Sequence, residues 1–376
     1  MIQKMKLFYV VNIDWFFISH RLPLALHALK EGYEVYVVTA DTGRRSEIES
    51  YGIHFIQMPF RRSGSNPIYE LKCLFRLYFC YKKCKPDLIH HITLKAALLG
   101  SLAAKLSGVK NVVNAISGLG YNFTDNRKGF LQRVVRLMIN IAFKSESFSY
   151  ILQNPDDVNM IQQLHLVETE HIYLIKGSGI DLIAYAWKEP INKKKLRVLF
   201  SARILRDKGI LELIEAAMTL KKDYESQIEF ILAGDCDKEN LAVLPKEELL
   251  KKLIPGYITW IGFQKEMYSV YVDSDIVVLP SYREGLPKSL IEACAVGRPI
   301  VTTNVPGCRE CVVEGTNGWL VPAKDSQALA DVLKILIDDG TMRHEFGIQS
   351  RILAEREFSI DCVVDKTFDI YKNYYQ

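Results

Sequence analysis

The chain has 376 residues, 49% of them hydrophobic and 24% charged, with a formal net charge of +4. This is the balance of a globular protein long enough for two buried cores, and so modest a charge gives no reason to expect a nucleic-acid partner. The charge is unevenly spread: residues 1–185 carry 22 Lys and Arg against 15 Asp and Glu (+7), and residues 186–376 carry 26 against 29 (−3). A basic first half points to an anionic partner such as a phosphate or a lipid headgroup.

The opening MIQKMKLFYVVNI reads as a buried first strand and not as a signal peptide, and no apolar run reaches the roughly 18–20 residues of a spanning helix. A cytoplasmic location with reduced thiols is therefore expected for the eight scattered cysteines. Cys308 and Cys311 form a lone CxxC with no second pair at zinc spacing, and are read as structural thiols.

Strand-like and helix-like segments alternate from the start, which predicts parallel sheets covered on both faces. In the first half, strands are expected near 5–12, 34–39, 53–57, 87–91, 111–116, 147–152 and 171–175. Helices are expected near 20–31, 67–84, 95–107, 129–144 and 155–164. Periodicity fails over 182–195, DLIAYAWKEPINKK, which reads as a linker. The alternation then restarts, with strands near 196–202, 228–233, 257–261, 275–280, 299–303 and 319–321. Helices near 208–221, 264–272, 287–296 and 325–338 separate them, and the tail from about 341 is helical. Two consecutive doubly wound units imply a cleft bordered by strand C-termini and helix N-termini, where ligands of open α/β sheets bind.

The strongest chemical signal is LPSYREGLPKSLIEAC, residues 279–294. A strand runs into a turn and a helix starts around Pro287, whose missing N–H is not needed in a first turn. Gly285 permits close backbone approach, and the free amides of the helix start suit a diphosphate, with Ser289 as a hydroxyl donor. Lys288 adds a cation where a helix ordinarily prefers an anion. Glu284 and Glu292 stand on the order of 10 Å apart along such a helix, roughly the span from a donor sugar across a diphosphate to a ribose. Taken alone, the same spacing also fits a capped amphipathic helix with two solvated glutamates. A second signal is FSARILRDKG, residues 200–209, which puts Arg203 and Lys208 after a strand end, where fixed cations can stabilise a departing nucleoside diphosphate. Asp273 and Asp275 spell DxD, but one ends a helix and the other opens a buried strand, so capping and turn roles are expected and no metal site is predicted.

With ARxxxxKG and E-x7-E about 75–80 residues apart, the chain resembles glycosyltransferase family 4, the retaining enzymes of the GT-B fold. The segments NIDWFFISHRLPLAL, HHITLKAALLGSLAAKLSGV and AISGLGYNF look like those of bacterial surface-polysaccharide transferases in that family. The resemblance implies two Rossmann-like domains: an acceptor-binding domain over 1–185, rejoined by a returning tail of about 356–376, and a nucleotide-sugar-binding domain over 186–355. It implies that Arg203 and Lys208 neutralise the donor diphosphate, that Glu292 holds the ribose hydroxyls, and that Glu284 faces the transferred sugar. Backbone amides of Gly285, Leu286 and Pro287 would cradle that sugar, and Ile261, Gly262 and Phe263 would line the base pocket. The implied donor is a UDP-sugar, with no further cofactor, and the implied acceptor is a polyprenyl-diphosphate-linked saccharide. Many relatives carry a histidine after the fifth strand, where this chain has Ser117, followed by Gly118 and Gly120. His20 and Arg21, read at the start of the first helix, join Ser117, Gly118, Gly120 and Lys95 as acceptor or phosphate candidates, with His90 and His91 behind them.

Residues 67–85 and 127–144 mix aromatic or apolar residues with Lys and Arg, and each reads either as a covering helix or as a helix lying on an anionic membrane surface. The resemblance favours peripheral attachment at the inner face of the cytoplasmic membrane. Two rival activities are a nucleotide-sugar epimerase of the same fold, which needs an acid/base array that the sequence does not display, and a non-catalytic sugar-nucleotide-binding subunit. A dehydrogenase is excluded, because VVNIDWFF stands where GxGxxG should follow the first strand.

Overall fold

The computed structural model describes residues 4–61, 66–118, 130–163, 165, 167–191, 193–237, 240 and 242–375, with the side chains of 130–136 outside the description. The chain forms two compact units, Met1–Gly179 with Ile360–Gln376, and Ile180–Ser359.

The first unit runs β1 (Lys6–Ile13), α1 (Asp14–His20), α2 (Leu22–Lys30), β2 (Glu34–Ala40), α3 (Arg45–Ser50), β3 (His54–Gln57) and α4 (Pro67–Cys84). It continues through β4 (Leu88–Ile92), α5 (Leu94–Ser107), β5 (Val112–Ile116), α6 (Phe130–Phe143), β6 (Phe148–Leu152), α7 (Pro155–Gln163) and β7 (Ile172–Leu174). The seven strands pair in parallel in the order β3-β2-β1-β4-β5-β6-β7. Strands β4, β5 and β6 are buried at every position, as strands covered on both faces are. One face packs Leu77, Tyr81, Ala97, Ala104 and Phe143 of α4, α5 and α6. The other packs Leu24 and Ala28 of α2 with Val363, Phe368 and Tyr371 from the end of the chain.

The second unit runs β8 (Leu196–Ser201), α8 (Ile210–Tyr224), β9 (Ile228–Ala233), α9 (Lys246–Leu250), β10 (Ile258–Gly262), α10 (Tyr268–Val272), β11 (Ile276–Leu279) and α11 (Lys288–Val296). Then follow β12 (Ile300–Thr303), β13 (Gly318–Val321), α12 (Ser326–Asp338) and α13 (Gly340–Leu353), before α14 (Ile360–Lys372) rejoins the first unit. Its six parallel strands lie in the order β10-β9-β8-β11-β12-β13. Order reverses between β8 and β11, so the loops leaving those two strands flank the switch point where open α/β sheets bind ligands.

Two expectations are corrected. The single helix predicted over 20–31 is two helices broken at Arg21, with Pro23 in the first turn of the second, so His20 ends α1 and does not begin a helix. The linker expected over 182–195 is fixed to the second unit: Asp181 Oδ1 accepts from the amides of Ile183 and Ala184 at 2.8 and 2.9 Å, and Arg351 donates to the carbonyl of Tyr185 at 3.0 Å. The buried Arg298 donates to the carbonyl of Lys188 at 2.8 Å.

Candidate active site of the second unit

Parallel pairing of β8 with β11, Phe200 opposite Val278, brings the two loops that carry Lys208 and Glu284 side by side. They are then pinned together. The carbonyl of Asp207 accepts from the Tyr282 amide at 2.9 Å and from Ser281 Oγ at 3.1 Å, and Tyr282 Oη donates to Glu212 at the start of α8 at 2.5 Å. Gly209 turns the chain into α8 at a φ of 72°, and a Cβ there would stand 2.0 Å from the Pro280 carbonyl oxygen. Only glycine permits so close an approach in that backbone region. The outcome is a direct ion pair between Lys208 Nζ and Glu284 Oε1, with Ser281 Oγ, whose one proton is shared with the Asp207 carbonyl, 2.9 Å from the same carboxylate oxygen. Arg203, on the loop after β8, reaches Asp237 on the loop after β9 at 2.7 Å.

Helix α11 starts one residue later than expected, with Pro287 as its N-cap at φ −73° and no side chain capping its amides. The loop ahead of it rests on Gly307, where a Cβ would lie 2.5 Å from the carbonyl oxygens of both Glu284 and Gly285. Gly285 and Leu286 are half-buried in that loop, Pro287 is buried, and Ser289 is the second residue of the helix. Lys288 lies one turn before Glu292, Nζ to Oε1 3.9 Å, which supplies part of the negative charge that a cation in a first helical turn calls for.

Glu292 is only 8% exposed. Burial raises its carboxyl above the ordinary range, against the opposing effects of Lys288 and of the Tyr271 and Tyr185 hydroxyls. Tyr185 Oη donates to Glu292 Oε1 at 3.1 Å, and Tyr271 Oη donates to Ser201 Oγ at the end of β8 at 3.0 Å. Ile261 and Gly262 close β10, Gly262 with φ 70°, and Phe263 beyond them is 72% exposed.

The DxD residues are bound to cations of the protein: Arg197 and Lys193 both pair with Asp273, and Asp275 accepts from Lys193 Nζ at 3.2 Å and from the Arg197 amide at 2.8 Å. Among the described residues no three His, Cys, Asp or Glu side chains gather as a metal site. Cys308 and Cys311 are buried and unbonded to each other.

In the first unit, His20 stacks on Phe16 at 4.0 Å with its Nδ1 2.5 Å from Ser19 Oγ. Arg21 is buried with Nε unpartnered, beside His90, whose Nε2 is also unpartnered. His90 and His91 are fully buried, bonded to Tyr371 and Asn114 respectively, and burial lowers both, His91 to about 4. Lys95 pairs with Glu70 of α4 at 2.5 Å. Ser117 and Gly118 follow β5, Gly118 with φ 111°, while Gly120 lies outside the described residues.

Sequence reasoning missed Tyr185, Tyr271, Asp237 and Ser281. Only Ser281 lies inside a motif that spacing had marked; Tyr185 is 107 positions from the carboxylate it meets.

Two doubly wound parallel units, the second carrying cations and carboxylates on the loops at its switch point, are the architecture of GT-B glycosyltransferases. Solved structures share it: Anabaena HepE in complex with UDP and glucose matches with a TM-score of 0.79 at 18% identity, covering 98% of this chain and 99% of that one. A glycosyltransferase from Rickettsia africae matches with a TM-score of 0.78 at 18% identity, over 100% and 99% of the two chains. The profile described as "Glycosyl transferases group 1" matches residues 183–352, and that described as "Glycosyl transferase 4-like" matches residues 6–154. The chain belongs to this group, glycosyltransferase family 4. Among its relatives is the N,N'-diacetylbacillosaminyl-diphospho-undecaprenol alpha-1,3-N-acetylgalactosaminyltransferase of Campylobacter jejuni, 30% identical over 86% of this chain and 87% of the relative. The capsular polysaccharide biosynthesis glycosyltransferase CapM of Staphylococcus aureus is 26% identical over 99% and 98%. A UDP-Gal:alpha-D-GlcNAc-diphosphoundecaprenol alpha-1,3-galactosyltransferase of Escherichia coli is 25% identical over 89% and 91%.

Proposed function

We propose that the protein transfers a hexose or N-acetylhexosamine from a UDP-sugar to a polyprenyl-diphosphate-linked saccharide during assembly of a surface glycan, with retention at the anomeric carbon. The observation that carries this reading is the meeting of Lys208 and Glu284, from two separate motifs, at the β8/β11 switch point. In that reading Lys208 leaves Glu284 for the donor diphosphate, and Arg203 turns from Asp237 to the same group. The uncapped amides at the start of α11 take a share of the charge. Glu284 is then released to the hydroxyls of the transferred sugar, cradled by Gly285, Leu286 and Pro287, while Glu292 holds the ribose. Ile261, Gly262 and Phe263 line the base, with Ser289 donating to phosphate. The acceptor is assigned to the first unit, with His20, Arg21, Lys95, Ser117, Gly118 and Gly120 as candidates.

The acceptor hydroxyl attacks from the face that the diphosphate leaves, and a leaving phosphate oxygen takes its proton. The protein contributes position and charge stabilisation, without a metal ion. Relatives named for diphosphoundecaprenol acceptors, and a neighbour solved with UDP and glucose, support the substrate classes.

Attachment to the inner face of the cytoplasmic membrane through α4 is part of the same reading. The helix exposes Ile68, Leu71, Phe75 and Phe79 beside Lys72, Arg76, Lys82 and Lys83, an apolar stripe flanked by cations that suits an anionic bilayer. Among the described residues no helix is long and apolar enough to cross a membrane.

The test is transfer of label from a panel of radiolabelled UDP-sugars to a polyprenyl-diphosphate-linked saccharide. Lys208→Ala and Arg203→Ala are expected to lower turnover by about 100-fold or more with melting temperature preserved, and wild-type activity is expected to survive a chelator. Near-normal turnover in both variants, or loss of activity in chelator, overturns the mechanism; an altered free sugar in place of labelled lipid would mean epimerisation.

A further inference from the structure

The segment that enters the second unit delivers one side chain whose purpose the motifs do not explain. Asp181 starts a single turn, with its carbonyl accepting from the Tyr185 amide at 2.8 Å, and Arg351 of α13 grips the carbonyls of Leu182, Tyr185 and Ala295. The Tyr185 ring is lodged against Tyr268 and Tyr271, with centroids 6.0 and 6.4 Å away. Backbone and ring are therefore both fixed, and the hydroxyl falls on Glu292 Oε1 at 3.1 Å. A phenylalanine would fill the same space. The hydroxyl is the part that packing does not require, and its partner is a carboxylate almost wholly withdrawn from water.

We propose that Tyr185 is a positioning residue for nucleotide recognition: its hydroxyl fixes the Glu292 carboxylate so that it can accept from both ribose hydroxyls of the donor. This rests on the reading of Glu292 as the ribose-binding carboxylate. A carboxylate that accepts one hydrogen bond from a clamped phenol has its rotamer set before the ligand arrives, so binding does not have to order it. The same bond favours the ionised form, which is the form that can accept twice from a diol.

The test is calorimetric binding of UDP and of 2′,3′-dideoxyuridine diphosphate to the full chain, wild type and Tyr185→Phe, with melting temperatures measured alongside. Wild type is expected to bind UDP more tightly than the dideoxy analogue. Y185F is expected to bind UDP about tenfold more weakly, the size of one lost hydrogen bond to a charged group, yet to bind the analogue as wild type does. In a Glu292→Gln background, Tyr185→Phe is expected to change UDP affinity by less than about twofold, because coupled residues do not add. If Y185F weakens both nucleotides equally, or weakens neither, Tyr185 is only packing and the proposal falls while the ribose reading stands. If wild type itself fails to distinguish UDP from the analogue, the ribose reading of Glu292 falls, and this proposal with it.

Discussion

Burying a carboxylate costs stability, and Glu292 shows where in the second unit that cost is carried. Lys288, Tyr271 and Tyr185 face it, and together they do not offset the loss of water, so its folded carboxyl sits above its unfolded one. The sign of the pH effect follows. Below the unfolded carboxyl range the protonated group carries no penalty, and stability falls as pH rises through the raised folded value. Glu292→Gln should therefore melt higher than wild type at pH 7.5, by on the order of a few degrees, with the difference shrinking towards pH 4. Melting curves across that range check it, and a difference that grows as pH falls would reverse the assignment. Lys208 and Glu284 form a direct ion pair, so neither is left as an unpaired charge in the partly buried loop.

At the scale of elements, the helix α4 presents the clearest division between packing and exposure. Cys73, Leu77 and Tyr81 face the sheet, while Ile68 (80% exposed), Phe75 and Phe79 (64% exposed) lie on the outer side among lysines and arginines. If that outer face meets lipid, Phe75→Asp with Phe79→Asp should abolish co-sedimentation with vesicles containing an anionic phospholipid and leave UDP binding unchanged. Retained sedimentation would assign the attachment elsewhere. This helix was also the most legible from sequence: Asn66 caps it with Pro67 in its first turn, and its observed span is the expected one. Buried strands such as IVVL and IVTT were legible for a related reason, since an unbroken apolar or β-branched run bounded by polar residues or proline has few alternatives. Three short helices were not. Arg45–Ser50 and Lys246–Leu250 hold too few apolar residues to show a period, and α1 was hidden because its residues DWFFISH continue an apolar stretch from β1. Motif spacing singled out Arg203 and Glu292 but not Asp237 and Tyr185, because only tertiary folding brings those two to them.

For the whole molecule, the decisive feature is that one compact unit is made from both ends of the sequence. Helix α14 buries Val363, Val364, Phe368, Ile370 and Tyr371 against the first sheet, and the Tyr371 hydroxyl lies 2.5 Å from His90 Nδ1. At about 1.5–3 kcal/mol for each such side chain, their burial contributes on the order of 10 kcal/mol, as large as the stability of a typical domain. A chain ending at Ser359 should therefore lose the thermal transition of the first unit and keep that of the second, together with its affinity for UDP. Scanning calorimetry that found two transitions in the shortened chain would show that α14 is dispensable. Composition indicated two cores and periodicity indicated a second run of strands from residue 196, but where the second unit begins, at Ile180, and which sheet claims the last helix are tertiary matters that neither encodes. The arrangement also bears on biosynthesis. A ribosome completes the contiguous stretch Ile180–Ser359 before it makes α14, so the residues translated first are among the last to become fully enclosed. Until α14 emerges, the part of the first sheet that it covers stays open to water and to chaperones, although every residue of the second unit has by then been made.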